Sequence, residues 1–273
     1  MMLAASRESY AAAVDALNEF AAGATPERLT ATGDEVLAVA DLLRREPRLR
    51  RALADSSRAS DERVGLLGAV FGGKVGDEAL GLLTALVSGR WSTPSELLDA
   101  VERIGAETLL AGSERADELG DVEDELFRFG HVVRGNPQLA SALSDPSAGL
   151  DRRGQLIADL LEGKASPASL RLVTLALRGF GGRGFDASLS RLVELAAARR
   201  DRQVAYVTTA APLSDAEEER LAGRLSELYG RQISLKLDVD PSVVGGVKVQ
   251  VGADLYDGTV SRRLAETRKA LAG

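Results

Sequence analysis

Two stretches of this chain carry the same punctuation ninety residues apart, and that spacing restricts the fold more than any other feature. Arg44, Pro47, Leu49, Ala52, Leu53 and Asp55 recur as Arg134, Pro137, Leu139, Ala142, Leu143 and Asp145. Asp61, Arg63 and Leu66 recur as Asp151, Arg153 and Leu156. Gly73 and Lys74 recur as Gly163 and Lys164, and Leu80, Leu82 and Thr84 as Leu170, Leu172 and Thr174. Prolines, glycines and aspartates are not the residues that fill helices, so chance likeness between two Ala/Leu-rich helices does not produce this run. We read an internal duplication of a helical unit, about residues 25–111 and 115–200. The match reaches back weakly, from Leu29, Asp34 and Glu35 to Leu119, Asp124 and Glu125, and its phase drifts beyond Leu177.

The apolar spacing inside each copy is helical. A first helix, roughly Arg7 to Ala22, carries Tyr10, Val14, Leu17 and Phe20. Pro26 opens a second, with Leu29, Val36, Val39, Leu42 and Leu43, which Pro47 ends. A short helix through Leu53, then Asp61 to Phe71, Asp77 to Ser88 and a helix opened by Pro94 complete the copy. A chain with 45% hydrophobic but only 4% aromatic residues builds its core from Ala, Leu and Val, whose small side chains let helix axes approach.

After Arg202 the pattern changes. Val204 to Thr209 reads as a strand. Ser214 caps a helix to Tyr229, with Glu217 completing a capping box and Gly230 as the stop. Ile233 to Val239 and Val247 to Val251 alternate as half-buried strands, Pro241 and the Gly245–Gly246 pair make the turn between them, Asp257–Gly258 turns, and Thr259 caps a last helix. The predicted fold is mainly α: a helical bundle with the duplicated unit over 1–202, then a small α+β domain over 203–273.

The chemistry legible here is sparse. The net charge of −7 argues against nucleic acid and against an anionic membrane surface as the main partner. With no cysteine there is no disulfide, thiolate zinc site or iron–sulfur cluster. No apolar run is long enough to cross a bilayer, and the start from Met1 to Tyr10 lacks a secretory pattern. The single histidine, His131, is expected at a helix end or on the surface rather than in a catalytic group. Neither a phosphate loop nor a nucleophile elbow nor a zinc-helix motif occurs, so no cofactor, metal or ATP site is expected.

Three segments have two readings each. Arg178 to Phe185 (RGFGGRGF) has the composition of RNA-binding tracts, but lies between two predicted helices and reads as their connection. Asp238, Asp240, Asp254 and Asp257 could supply oxygen ligands, but fit turn carboxylates at strand ends better. The basic run Arg44, Arg45, Arg48, Arg50 and Arg51 is either a solvated helix-end face or a patch for an acidic partner segment.

The segment from Val239 to Leu271 resembles the C-terminal motif of F-type ATP synthase delta subunits, the OSCP family. The likeness rests on Asp240, Pro241, Gly245, Gly246, Val247 to Val251, Asp257, Gly258, Arg262, Arg263 and Leu264, with Thr259 where the family has Ser. Tyr10–Ala11, Asn136–Pro137 followed by Leu139, Leu143 and Pro146, and Ala205 to Leu213 extend it. The chain exceeds the usual family length by about one helical unit, which the repeat accounts for; the copy from Arg134 to Arg200 aligns with the ordinary unit. The resemblance implies a non-catalytic peripheral-stalk subunit of a proton-translocating synthase, at the cytoplasmic face of a bacterial membrane and reaching that membrane only through partners. Its helical bundle would bind N-terminal helices of the alpha subunits and its C-terminal domain the b-type stalk. A groove along the first helix would lie close to Tyr10, Val14 and Leu17, unless these are plain core residues. The alternative is a free-standing helical adaptor with an accidental tail match.

Overall fold

The computed structural model describes residues 4–145, 147–201, 204–229, 233–240, 243, 245–251 and 254–260. Two compact units divide the chain, Met1–Ala196 and Ala197–Gly273.

The helical unit opens with α1 (Ala4–Gly23) and α2 (Pro26–Arg45), followed by α3 (Pro47–Ala54), α4 (Ser60–Phe71), α5 (Asp77–Ser88) and α6 (Pro94–Arg115). It continues with α7 (Leu119–Gly135), α8 (Pro137–Ser144), α9 (Leu150–Leu161), α10 (Pro167–Leu177), a single turn Phe180–Gly182 and α11 (Phe185–Asp201). Five of these helices begin on proline, whose missing N–H costs nothing at that position. Thr25, Thr93, Asn136 and Ser166 accept a first-turn N–H at four of those starts. Gly73 and Gly163 end α4 and α9 with φ of 71° and 63°, a conformation only glycine adopts without strain.

The ninety-residue spacing seen in the sequence holds for the elements and for their bonds. Helices α3, α4 and α5 start at 47, 60 and 77; α8, α9 and α10 start at 137, 150 and 167. Glu35 Oε2 accepts the Gly76 N–H at 2.8 Å, and Glu125 Oε2 accepts the Ser166 N–H at 2.8 Å. Asp55 Oδ1 takes the Ser57 N–H and hydroxyl, as Asp145 Oδ1 takes those of Ser147. These bonds hold both carboxyls below the usual carboxylate range.

Two large cores fill the described part of the unit, with a small apolar cluster of Ala21, Ala24, Leu29 and Ala111 beside them. One gathers Leu17, Val36, Leu43, Leu53, Leu67 and Leu86 with the first half of α6. The other gathers Leu126, Leu143, Ile157, Leu172 and Leu192 with Ala106, Leu109 and Leu110 from the second half of α6. Helix α6 is therefore buried nearly all round from Leu97 to Ser113, as a central rod must be.

In the C-terminal unit β1 (Val204–Thr209), α12 (Asp215–Tyr229), β2 (Ser234–Val239), β3 (Val247–Val251) and β4 (Asp254–Asp257) form a sheet of order β2-β1-β3-β4. Strand β1 pairs parallel with β2, which requires the α12 crossover, and antiparallel with β3; β4 pairs antiparallel with β3. Ala205, Val207, Val249 and Val251 face Leu225 and Ile233 in its core. The capping box is visible in its Glu217 half: the carboxylate accepts the Ser214 hydroxyl at 2.7 Å and the Ser214 N–H at 2.9 Å, which together lower the Glu217 pKa. Strand β4 was not expected: its four residues alternate too briefly to register as a strand, and only pairing with β3 extends them. The predicted stop at Gly230, and the last helix beyond Val260, lie outside the described residues.

Candidate functional site: the inter-repeat junction and partner surfaces

Helix α2 lies along α6 because glycines clear the way. A Cβ on Gly105 would come within 2.6 Å of Leu37 Cδ2, and one on Gly33 within 2.8 Å of Leu109 Cδ2. Leu37 consequently reaches past α6 and packs against the second core.

A chain of polar contacts ties this helix pair to the second half of the unit. Glu102, 1% exposed, accepts from Arg44 Nη2 at 2.6 Å through Oε1 and from the Gly181 N–H at 2.7 Å through Oε2. The other guanidinium nitrogen of Arg44 donates to Arg178 O. Arg178 pairs with Asp41 at 3.5 Å, and Arg171 with Asp34 at 2.9 Å. The charge buried on Glu102 is thus met by a cation and a backbone donor, the condition under which a buried carboxylate is tolerated. Beside it Asp99 is half-buried, and burial together with the Glu102 charge raises its pKa. A protonated Asp99 is favoured by the fold, so its stabilising share is present at low pH and lost as pH rises. Asp99→Asn is expected to raise the melting temperature at pH 7 and leave it unchanged near pH 3, as scanning calorimetry would register.

The junction breaks the internal symmetry. In the first half, Arg63 of α4 donates to Gly89 O at 2.9 Å and Ser88 O at 3.2 Å, covering the end of α5. Its counterpart Arg153 donates instead to Leu143 O, because the matching carbonyl of Arg178 is taken by Arg44 from α2. One arginine of the basic run therefore spans the two halves. Arg48 and Arg51 are exposed, Arg45 pairs with Asp41, and Arg50 donates to Leu43 O. The expectation of a solvated face holds for Arg45, Arg48 and Arg51 and fails for Arg44, whose partner Glu102 sits in α6 where an apolar stripe hides a carboxylate from sequence reading. A cleft of about 420 Å3 between α2 and α10 is lined by Leu37, Ala38, Leu170, Leu175 and the pairs just named.

The RGFGGRGF segment is the α10–α11 connection. Phe180 and Phe185 are buried, the latter edge-on to Phe129 at 6.4 Å, so neither ring is presented to a base. His131 is exposed on α7 with its ring against Phe127 at 4.7 Å. Among the described residues no three His, Cys, Asp or Glu side chains gather as a metal site would require.

Of the three residues expected near a partner groove, Tyr10 (6% exposed) and Leu17 (0%) are packed in the first core, with Arg103 lying over the Tyr10 ring. Val14 is half-buried at the edge of α1. In the C-terminal unit, Asp240 N–H donates to Thr209 O, and Asp257 accepts the N–H and hydroxyl of Thr259. Gly245 and Gly246 have φ of 67° and 86°. A Cβ on Gly246 would meet Gly258 O at 2.5 Å, so the glycine pair and Gly258 require one another. Pro241, Arg263 and Leu264 lie outside the described residues.

Comparison with known proteins agrees with this architecture. The family profile described as ATP synthase delta (OSCP) subunit matches residues 101–271. The ATP synthase subunit delta of Salinispora arenicola is 60% identical over 100% of this chain and 99% of its own. That of Salinispora tropica is 58% identical over the same shares, and that of Streptomyces avermitilis 45% identical over 98% of each. The full-length match includes both halves of the helical unit, so the additional half belongs to these relatives as well, and the chain is a member of the ATP synthase delta (OSCP) family, the peripheral-stalk subunit of F-type ATP synthases.

Proposed function

We propose that this subunit joins the catalytic head to the membrane-anchored stalk without catalysing a step itself, so that the head does not turn with the rotor. The observation that supports it is α6: one helix contributes to both cores of the helical unit, and Arg44 and Glu102 lock α2 and α6 to the α10–α11 connection. A part that must resist torque gains from one continuous helix shared by both of its cores. The helical unit binds N-terminal helices of the alpha subunits, the C-terminal unit binds the b-type stalk, and the complex sits at the cytoplasmic face of the bacterial membrane. No described helix is long and apolar enough to cross that membrane. Carrying two binding surfaces in one chain raises the effective concentration of the second contact. The joint to the head runs along α1, with Val14 accessible and Tyr10 and Leu17 supporting it from beneath.

A calorimetric titration of the full chain with a synthetic peptide from the N-terminus of the same organism's alpha subunit tests this. Saturable one-to-one binding is expected, weakened roughly tenfold by Val14→Glu in a protein that keeps its melting temperature. Absence of binding at high micromolar peptide overturns the joint to the head along α1.

The halves, about 25–111 and 115–200, are a duplication in this reading, with α1 standing to the first as α6 stands to the second. Removing residues 44–133 excises one period and joins two helices in register. The shortened chain is expected to fold cooperatively and to couple the synthase poorly, because contact area on the head or stalk is lost; unchanged coupling in membrane vesicles would count against a role for the added half.

A further inference from the structure

Positive charge is divided unevenly between the two halves of the helical unit. Residues 44–58 hold six arginines against Glu46 and Asp55, a net charge of +4 that leaves −11 on the rest of a chain of −7. The matching stretch 134–148 holds Arg134 against Asp145 and is neutral. Arg45, Arg48, Arg51 and Arg58 stand where the second half has Gly135, Gln138, Ser141 and Ala148. Arg44 and Arg50 are engaged within the chain, by Glu102 and by Leu43 O. Arg45 pairs with Asp41, and Arg58 with Asp55 at 3.4 Å. Arg48 and Arg51 are exposed and meet no carboxylate among the described residues. Three ordinary reasons for surface arginines do not account for them. The fold does not need them: α3 and α8 both have eight residues and begin on proline, and α8 forms with glutamine and serine at these two places. The helix dipole rewards Arg51 in the last turn of α3 but not Arg48 in the first, where a cation is disfavoured. Solubility does not gain, because each arginine brings an acidic chain closer to zero net charge.

We infer that Arg48 and Arg51 of α3, with Arg45 and Arg58 as their neighbours in the chain, are a docking site for a short acidic protein segment whose carboxylates are spaced one helical turn apart. The two arginines are three residues apart, so they leave the same side of α3. A planar guanidinium donates two parallel N–H bonds to one carboxylate, so the pair takes two neighbouring acidic side chains. Helix α3 is only about 12 Å long, which limits the contact to a short segment. An extended polyanion, nucleic acid or an anionic bilayer, would run beyond this stretch onto a chain that is otherwise strongly negative and be repelled there. Leu42, three residues before Arg45 and 36% exposed, adds an apolar edge that a peptide side chain can cover and a phosphate cannot. The site belongs to the first half alone, and it rests on the repeat and not on the joint along α1.

The probe is a fluorescein-labelled synthetic peptide of glutamate and leucine in helical alternation, followed by anisotropy as the full-length protein is added at about 0.05 M salt. Binding is expected, weakened roughly tenfold by Arg48→Gln combined with Arg51→Ser. Those are the residues the second half carries at the same places, so the variant folds, and an unchanged Trp91 fluorescence spectrum verifies it. Arg115→Gln combined with Arg224→Gln removes the same charge from two other exposed positions and is expected to leave binding intact. No binding of the peptide, or an equal loss in the two double variants, overturns the site. Tighter binding to inorganic polyphosphate or to phosphatidylglycerol vesicles than to the peptide, lost with Arg48 and Arg51, overturns the acidic protein segment as the occupant.

Discussion

Arg44→Ala is expected to lower the stability of the helical unit by about 3 kcal/mol, because it strands a carboxylate that is 1% exposed. Glu102 keeps only the Gly181 N–H, and Arg178 O loses its donor at the same time. The natural control is Arg134→Ala, which sits at the matching place in the second half. Its partner Asp186 is 3.3 Å away and both side chains are about half in water, so the cost is within about 0.5 kcal/mol. The single tryptophan, Trp91, is buried in the first core with its indole N–H on Leu86 O, so its fluorescence in urea follows this unit. Arg44→Met combined with Glu102→Leu is expected to recover most of the loss, since an apolar pair of similar size leaves no charge unpaired. If Arg44→Ala and Arg134→Ala shift the urea midpoint equally, Glu102 does not depend on Arg44 and the junction carries no special load.

Gly246→Ala has the second large effect and leaves Trp91 untouched. The residue has φ of 86°, and an added Cβ would lie 2.5 Å from Gly258 O and 2.9 Å from Thr259 Cα. Both neighbours are backbone, so neither can swing aside, and the loss is at least about 3 kcal/mol. That takes a large part of the stability of a unit of this size. Gly223→Ala in α12 is the contrast: nothing lies within 4 Å of its Cβ, and the substitution gains about 0.5–1 kcal/mol. Circular dichroism should show a lost or lowered C-terminal transition in the first variant and a raised one in the second, with the Trp91 transition constant in both.

The contrast between these sites explains what could be read from the chain. The helix starts at Pro26 and Pro94 were legible because proline acts locally, within one turn. The glycine pair at 245–246 was legible as a turn for the same reason. The need for Gly258 beside it was not, since that contact closes only when β3 and the turn after β4 come together. The junction was hidden more deeply. Arg44 stood in a run of arginines that local chemistry assigns to solvent, and Glu102 stood 58 positions away in another helix. Tyr10 and Leu17 were singled out by their spacing, which marks an apolar face but not which of its members are sealed beneath it.

The sharing of α6 has a consequence for how such a subunit can grow. A helix that closes one core and opens the next leaves no place for a spacer of arbitrary length. Inserting a few residues would rotate everything beyond it by about 100° per residue, and the glycines that admit α2 would turn away from it. Reach can therefore change only in whole periods, each bringing its own closing helix, much as a ladder is lengthened by rungs and not by fractions of a rung.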